Sequence, residues 1–262
     1  MSHLDERISL ALFLLFFLTI ILFYVRVFFL GEIHFSRVDQ QGSSRLLHKS
    51  VMEMGYWSMQ PIAKSFVLLK ITPNQISWAS LVFGICGAGF LLCGHFGIAA
   101  LYSIIAVALD VFDGMVARLT GVASDAGEVL DASLDRYVEF VFLAALALYY
   151  HEHMLLMSLA LLALLGSFMV SYSTAKAEAL HVTPPKGSMR RPERVILLTL
   201  GALLSGLTVP FEPGAGGGGA GGGHFHFGYP MIAALFIVAI GANFSAVQRL
   251  RAIIQTVRLV EK

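Results

Sequence analysis

Acidic residues crowd into one part of this chain, with a spacing that could support metal and phosphate chemistry. Seven of the seventeen acids lie between residues 110 and 139: Asp110, Asp113, Asp125, Glu128, Asp131, Asp135 and Glu139. Asp110 and Asp113 are three residues apart, so they lie on one face of a helix. Asp131 and Asp135 are four apart and do the same. A turn at residues 121–126 would set the two helices antiparallel, with their acidic faces opposed.

Four converging carboxylates repel one another unless a cation lies between them. A hard divalent cation would serve, and ligation by oxygen alone suits magnesium, manganese or calcium rather than zinc. Gly114 and Ala117 leave space for a ligand, and Arg118 places a cation one turn beyond the first pair of acids. Carboxylates, a divalent cation and an arginine together make a binding site for a diphosphate.

A simpler explanation for clustered acids is a helix cap or a network of surface ion pairs. It accounts for Asp125 and Glu128, which fall in or beside the predicted turn. It does not account for Asp110 and Asp113, because residues 104–109 before them are almost wholly apolar. A charged group at membrane depth costs about 2.5–3.5 kcal/mol, so acids in this position indicate a functional site.

The composition of the whole chain predicts a polytopic membrane protein. Of its 262 residues, 57% are apolar and 13% are charged, and the mean hydropathy is +0.76. Soluble domains carry about 25% charged residues, so these side chains could not cover the surface of a soluble fold. The same apolar content excludes a disordered chain. We therefore expect an all-α membrane bundle.

Seven apolar stretches are candidates to cross the hydrocarbon core, which takes about 20 helical residues. They cover residues 8–30, 76–93, 98–119, 137–150, 154–170, 195–211 and 230–247. Basic residues occupy every second connection and the C-terminal tail, including Arg37, Arg45 and Lys186. The connections at 94–97 and 212–229 contain no Lys or Arg. By the positive-inside rule, the C-terminus is cytoplasmic and the N-terminus lies outside.

We divide the chain into an N-terminal membrane anchor with its connector, residues 1–45, and a second domain, residues 46–262. The second domain opens with residues 46–70, where apolar and charged residues alternate as in an amphipathic helix lying at the membrane surface. A solvated connector is the alternative for this segment. Residues 71–262 contain the other six spans. The glycine-rich stretch 214–223 is a flexible connector on the non-cytoplasmic side.

These residues carry a resemblance to a known family. The chain matches the signature of the CDP-alcohol phosphatidyltransferases at Asp110-x2-Asp113-Gly114-x2-Ala117-Arg118-x8-Gly127-x3-Asp131-x3-Asp135. The resemblance covers roughly residue 54 to the C-terminus. It implies a cytoplasmic amphipathic helix followed by a core of six membrane helices, to which the N-terminal span is additional.

The resemblance also implies a reaction and a set of site residues. Family members transfer a phosphatidyl group from a CDP-linked lipid, such as CDP-diacylglycerol, to a small alcohol and release CMP. Asp110, Asp113 and Asp131 resemble ligands of a site for two Mg²⁺ or Mn²⁺ ions, to which Asp135 also contributes. Asp135 resembles the general base that takes the proton from the acceptor alcohol. The positions similar to those that bind the donor nucleotide are Pro73, Asn74, Asp110, Gly114, Arg118 and Ser124.

The acceptor is indicated by basic segments on the cytoplasmic side. Lys176, Arg191 and Arg194 resemble acceptor-phosphate contacts of bacterial phosphatidylinositol-phosphate synthases within the family. Thr174 departs from that pattern, because a second basic residue is expected at its position. Glycerol 3-phosphate needs a similar pocket and stays open as the acceptor. Anchoring to anionic lipids is the alternative role for these basic residues.

Two other functions fit membrane-embedded acids less well. A divalent-cation transporter would carry acids along a route through several helices, whereas these acids cluster at one end of two helices. A catalytically inactive relative would be expected to lack one of the aspartates. We expect a multi-pass protein of the bacterial inner membrane with its active site facing the cytoplasm. Its partners are the bilayer, the lipid donor and a second copy in a homodimer, and not nucleic acid.

Overall fold

The fold is all-α throughout the part of the chain that the computed structural model describes, which is residues 2–31, 35, 49–182, 188–208 and 226–260. Eight helices follow one another there: α1 (Ser2–Leu30), α2 (Lys49–Leu68), α3 (Pro73–Leu92), α4 (Phe96–Thr120), α5 (Asp125–Tyr149), α6 (Met154–Ala179), α7 (Arg191–Thr208) and α8 (Tyr229–Val260). Helix α2 is the predicted amphipathic helix, and each other helix contains one predicted span. Several sequence features lie outside the described residues: Arg37, Arg45, Lys186, the start of segment 46–70 and the glycine-rich stretch 214–223.

Five of the helices are long and apolar enough to cross a membrane, namely α1, α3, α4, α6 and α8. Helices α5 and α7 fall outside this set because each carries three charged residues within its membrane-length stretch: Asp135, Arg136 and Glu139 in α5, and Arg191, Glu193 and Arg194 in α7. Both nevertheless pack inside the bundle, α5 against α3 and α6, and α7 against α4 and α8. The predicted spans are too short for α5, α6 and α8, because hydropathy marks only the part of a helix within the hydrocarbon.

Small residues let the helices of the bundle approach closely. The largest buried cluster contains nine alanines, drawn from all the helices from α3 to α8, together with larger side chains such as Leu91, Phe96, Leu143 and Tyr150. At Gly166 of α6, an added Cβ would lie 2.6 Å from the side-chain nitrogen of Asn243 on α8. Close packing of small residues drives helix association in membranes, where lipid removes the hydrophobic effect between helices.

Two features place the acidic stretch at one end of the bundle. Helix α4 ends at Gly121, whose φ of 71° is the left-handed conformation that glycine adopts without a steric penalty. Helix α5 begins after Ser124, whose hydroxyl accepts a hydrogen bond from the Gly127 N–H at 3.2 Å. The chain therefore reverses direction as predicted, and α4 and α5 present their acids to each other.

Helix α2 lies against the same end of α4. The Phe66 and Phe112 rings meet edge to face with centroids 5.3 Å apart. Ala63 of α2 is fully buried among Met115 and Val116 of α4. Because Phe112 precedes Asp113, the amphipathic helix packs directly behind the acidic residues.

Candidate active site

Three of the predicted metal ligands converge between α4 and α5. Asp110, Asp131 and Asp135 each offer a carboxylate oxygen, and these oxygens all lie within 4.8 Å of one another. One pair comes from α5 and the third acid comes from α4, as their helical spacing predicts. A donor set made only of carboxylate oxygens fits a hard cation such as Mg²⁺ or Mn²⁺. We call Asp110, Asp113, Asp131 and Asp135 the acidic cluster.

Asp113 lies beside this group and is held by a third helix. Its side chain is 4% exposed, and a carboxylate oxygen accepts a hydrogen bond from the Ser77 hydroxyl of α3 at 2.5 Å. Asp113 is also close enough to Asp110 for the two charges to interact. Ser77 therefore ties the start of α3 to the acidic cluster. Sequence reasoning did not identify Ser77, although it lies one turn after Pro73.

Arg191 lies within the acidic cluster. Its Nη1 is 2.9 Å from an Asp110 oxygen, and its Nη2 contacts Asp135. The guanidinium comes from the first residue of α7, so it links that helix to both α4 and α5. We predicted Arg191 as an acceptor contact, and the structure places it between two of the predicted metal ligands. Its positive charge offsets part of the repulsion among the carboxylates.

Arg194, a second predicted acceptor contact, is paired with groups of the protein itself. Its Nε and Nη2 donate to the two Glu139 carboxylate oxygens at 2.7 and 2.9 Å, and its Nη1 donates to the Met189 carbonyl at 2.8 Å. The Arg194 side chain is fully buried. Because all three nitrogens donate within the protein, Arg194 joins α7 to α5. Glu139 follows Asp131 and Asp135 at four-residue intervals, a spacing that places all three on one face of α5.

The predicted nucleotide contacts lie around the same end of α3, α4 and α5. Asn74 and Arg118 are exposed, and Pro73 begins α3 after the Thr72 cap. At Gly114, an added Cβ would lie 3.1 Å from an Arg118 nitrogen, so the glycine lets the arginine lie along the helix. Ser124 caps α5 through its hydroxyl. These placements leave their role toward the nucleotide a prediction.

The sequence analysis did not identify one further basic residue as a candidate for the site. Arg249 of α8 is only 6% exposed, and its Nη1 donates to the Thr174 hydroxyl of α6 at 3.0 Å. The Arg249 Nε is buried and has no hydrogen-bond partner within the described part of the chain. The charges of Arg190 and Arg194 lie close enough to interact with it. The sequence places Arg249 in the basic C-terminal tail. Only the packing of α8 shows that it lies beside Thr174 and Arg190. Lys176, at the end of α6, is exposed.

Comparison with known proteins identifies the family. Residues 70–245 match the CDP-alcohol phosphatidyltransferase family, and the chain belongs to it. The phosphatidylinositol phosphate synthase of Corynebacterium glutamicum is 32% identical over 198 residues, covering 73% of this chain and 82% of that protein. The Mycolicibacterium smegmatis protein of the same name is 28% identical, covering 74% and 82%. Helices α1 and α2 both precede residues 70–245.

Solved structures agree with this assignment. The phosphatidylinositol phosphate synthase of Mycobacterium tuberculosis in complex with manganese and citrate has a TM-score of 0.63 and 26% identity, covering 74% of this chain and 88% of that one. The same protein with CDP-DAG bound has a TM-score of 0.62 and 26% identity, covering 74% and 92%. The predicted helical membrane fold, phosphatidyl transfer from a CDP-linked lipid and divalent-metal cofactor are thereby confirmed at the level of the family.

We predict that chelation abolishes activity and that Mg²⁺ or Mn²⁺ restores it, because the acidic cluster offers only hard oxygen ligands. Bound metal should also stabilise the fold, by about 2.7 kcal/mol at a hundred times the dissociation constant. Transfer assays and thermal unfolding with and without EDTA would measure both effects. Full turnover in excess chelator would contradict the prediction.

Proposed function

We propose that this enzyme transfers the phosphatidyl group of CDP-diacylglycerol to an inositol phosphate and releases CMP. The observation that carries the proposal is the buried guanidinium of Arg249, which has a donor to spare beside Arg190. A phosphate on the acceptor would use this donor, whereas serine or choline would need less positive charge. The similarity to phosphatidylinositol phosphate synthases supports the same acceptor.

In this proposal the acidic cluster holds the metals and receives the donor's diphosphate. Asp110, Asp113, Asp131 and Asp135 are the ligands, and bound metal would neutralise charge on the departing CMP. Arg118 and Asn74 are exposed at the same end of the bundle and are suited to contact the cytidine diphosphate. The lipid chains of the donor would remain in the bilayer beside the helices.

Asp135 is the proposed general base. It takes the proton of the acceptor hydroxyl, whose oxygen attacks the lipid-bearing phosphorus in line with the bond to CMP. A new P–O bond forms to the acceptor as the P–O bond to CMP breaks. Arg191 contacts the Asp135 carboxylate and so fixes its orientation toward the incoming hydroxyl.

The acceptor's phosphate would bind next to this base. Arg191 contacts the acidic cluster, and Arg190, the residue before it, lies close to Arg249. The acidic cluster and the basic residues around Arg249 are therefore adjacent at the start of α7. We assign Arg249, Arg190 and Lys176 to the acceptor phosphate. Arg194 lies close to Arg249 and joins α7 to α5 through its ion pair with Glu139. Glycerol 3-phosphate carries the same phosphate but lacks the inositol ring, and is the competitor to test.

Arg249→Met should raise the KM for inositol phosphate by about tenfold to a hundredfold, because it removes a charge-assisted hydrogen bond worth about 1.5–3 kcal/mol. The KM for CDP-diacylglycerol should change little. The matched control is Arg251→Met, because Arg251 is exposed two residues further along α8. Initial rates over a range of both substrates would measure the effect. Equal KM values for inositol phosphate in the two variants would reject Arg249 as a contact.

The proposed location is the bacterial inner membrane, with the active site on the cytoplasmic side. The support is that connections rich in Lys and Arg alternate along the sequence with connections that contain neither. A cysteine introduced near the C-terminus should react with a membrane-impermeant reagent only from the cytoplasmic side. A cysteine within residues 214–223 should react only from the other side. Labelling of both positions from one side would contradict this orientation.

A further inference from the structure

Helix α1 precedes the region that matches the family, yet it carries a buried carboxylate. Asp5 is 1% exposed, and its Oδ1 accepts a hydrogen bond from the Ile98 N–H at 2.9 Å. Ile98 is the third residue of α4, and the residue before that helix, His95, makes no side-chain cap. N–H groups in the first turn of a helix lack partners within it. Asp5 therefore caps α4 from another helix, with its carboxylate at the positive end of the helix dipole.

Next to this cap, the backbones of three helices meet. A Cβ added at Gly97 of α4 would overlap the Asp5 carbonyl and the Ser9 hydroxyl of α1. A Cβ added at Gly206 of α7 would overlap the same Ser9 hydroxyl. Glycine at both positions is what allows α1 to lie this close to α4 and α7. A helix that served only as a membrane anchor would not need such contacts.

The other end of α1 reaches the amphipathic helix. Phe23 is 4% exposed, and its ring lies 5.8 Å from the Trp57 ring of α2. Helix α2 in turn packs on α4 through Phe66 and Phe112, next to the acidic cluster. Helix α1 thus contacts α4 directly at one end and through α2 at the other. Between these contacts many of its side chains, such as Leu15, are exposed, while Leu12 packs against the largest buried cluster.

We propose that α1 is a positioning element of the active site and that Asp5 is its principal positioning residue. Helix α4 carries Asp110, twelve residues beyond Ile98, and Arg191 of α7 contacts Asp110. Arg191 is the first residue of α7, whereas Gly206, beside Ser9, lies near the other end of that helix. By fixing α4 against α7 at that cap, α1 sets how the acidic cluster closes around its metal. This role does not depend on which alcohol is the acceptor.

The test compares Asp5→Ala, Asp5→Asn and the exposed control Leu15→Ala in nanodiscs, with Mn²⁺ affinity measured without substrates. Asp5→Ala should weaken Mn²⁺ binding about threefold to tenfold and lower kcat by a similar factor, with little change in the acceptor KM. Asp5→Asn should stay within about twofold of the wild type, because its amide oxygen can still accept the Ile98 N–H. Leu15→Ala should match the wild type.

Wild-type Mn²⁺ affinity and kcat in Asp5→Ala would overturn the proposal. Equal losses in Asp5→Ala and Asp5→Asn would overturn it too, because capping would then not explain the effect. Phe23→Ala, at the other end of α1, provides a second variant if Asp5→Ala does not fold. It should weaken Mn²⁺ binding in the same direction, and an unchanged affinity would count against a positioning role. Failure of inositol phosphate as acceptor would leave these Mn²⁺ measurements unaffected.

Discussion

Asp135→Asn is expected to lower the turnover number by about 10²–10⁴, the usual contribution of general acid–base catalysis. Asparagine keeps the shape of the side chain and can still contact Arg191, so donor binding should be largely retained. Because Asp135 also belongs to the acidic cluster, some loss of metal affinity is expected. Single-turnover rates and nucleotide binding should therefore be measured separately, both at saturating metal.

Asp110→Asn is the matched comparison for this variant. It removes a charged oxygen from the same group of carboxylates, but it removes no proposed base. We expect it to weaken metal binding and, with it, the binding of the donor. If Asp135→Asn and Asp110→Asn lost donor binding equally, the case for Asp135 as a distinct base would fail.

Breaking the Arg194–Glu139 pair is expected to have the largest effect on stability. Both side chains are buried, so Arg194→Met leaves the Glu139 charge without its partner, at a cost of about 3–5 kcal/mol. The double variant Arg194→Met with Glu139→Leu should recover most of that loss, because no unpaired charge remains. Thermal or denaturant unfolding in detergent would measure the difference, with Arg251→Met as the exposed control. A loss below about 1 kcal/mol in Arg194→Met would show that the pair contributes little.

The acidic half of the site could be predicted because its signals are local. Helical periodicity places Asp131 and Asp135 on one face, and the glycine at 121 ends α4 where the chain must turn. These rules act over a few residues and need no knowledge of tertiary packing. The same periodicity extends to Glu139, so the buried pair with Arg194 was partly visible in the sequence.

The basic half could not be predicted because it depends on contacts between distant residues. Arg191 and Asp110 are 81 residues apart, and Arg249 and Thr174 are 75 apart. Charge patterning predicts that these arginines lie on one side of the membrane, but it does not tell which carboxylate each one meets. Arg194 shows the consequence, because a residue predicted to face the acceptor pairs inside the protein.

Helix α1 is a third case, because the sequence contained a signal of its contacts, Asp5, that we did not interpret. Hydropathy marks its apolar length and predicts an anchor, which says nothing about what the helix contacts. Asp5 lies at the start of this apolar helix and is buried. A carboxylate there indicates a partner group, which the structure identifies as the Ile98 N–H.

The most direct test of the proposed reaction is a competition between acceptors. Purified protein in lipid nanodiscs would receive CDP-diacylglycerol, Mn²⁺ and an equimolar mixture of inositol phosphate, glycerol 3-phosphate, inositol and serine. Mass spectrometry would identify the lipid products, and released CMP would be quantified in parallel. We predict phosphatidylinositol phosphate as the main product, formed in equal amount to CMP and at least about a hundredfold more slowly in Asp135→Asn. Phosphatidylglycerol phosphate as the main product, or CMP release without inositol phosphate in the lipid, would contradict the proposal.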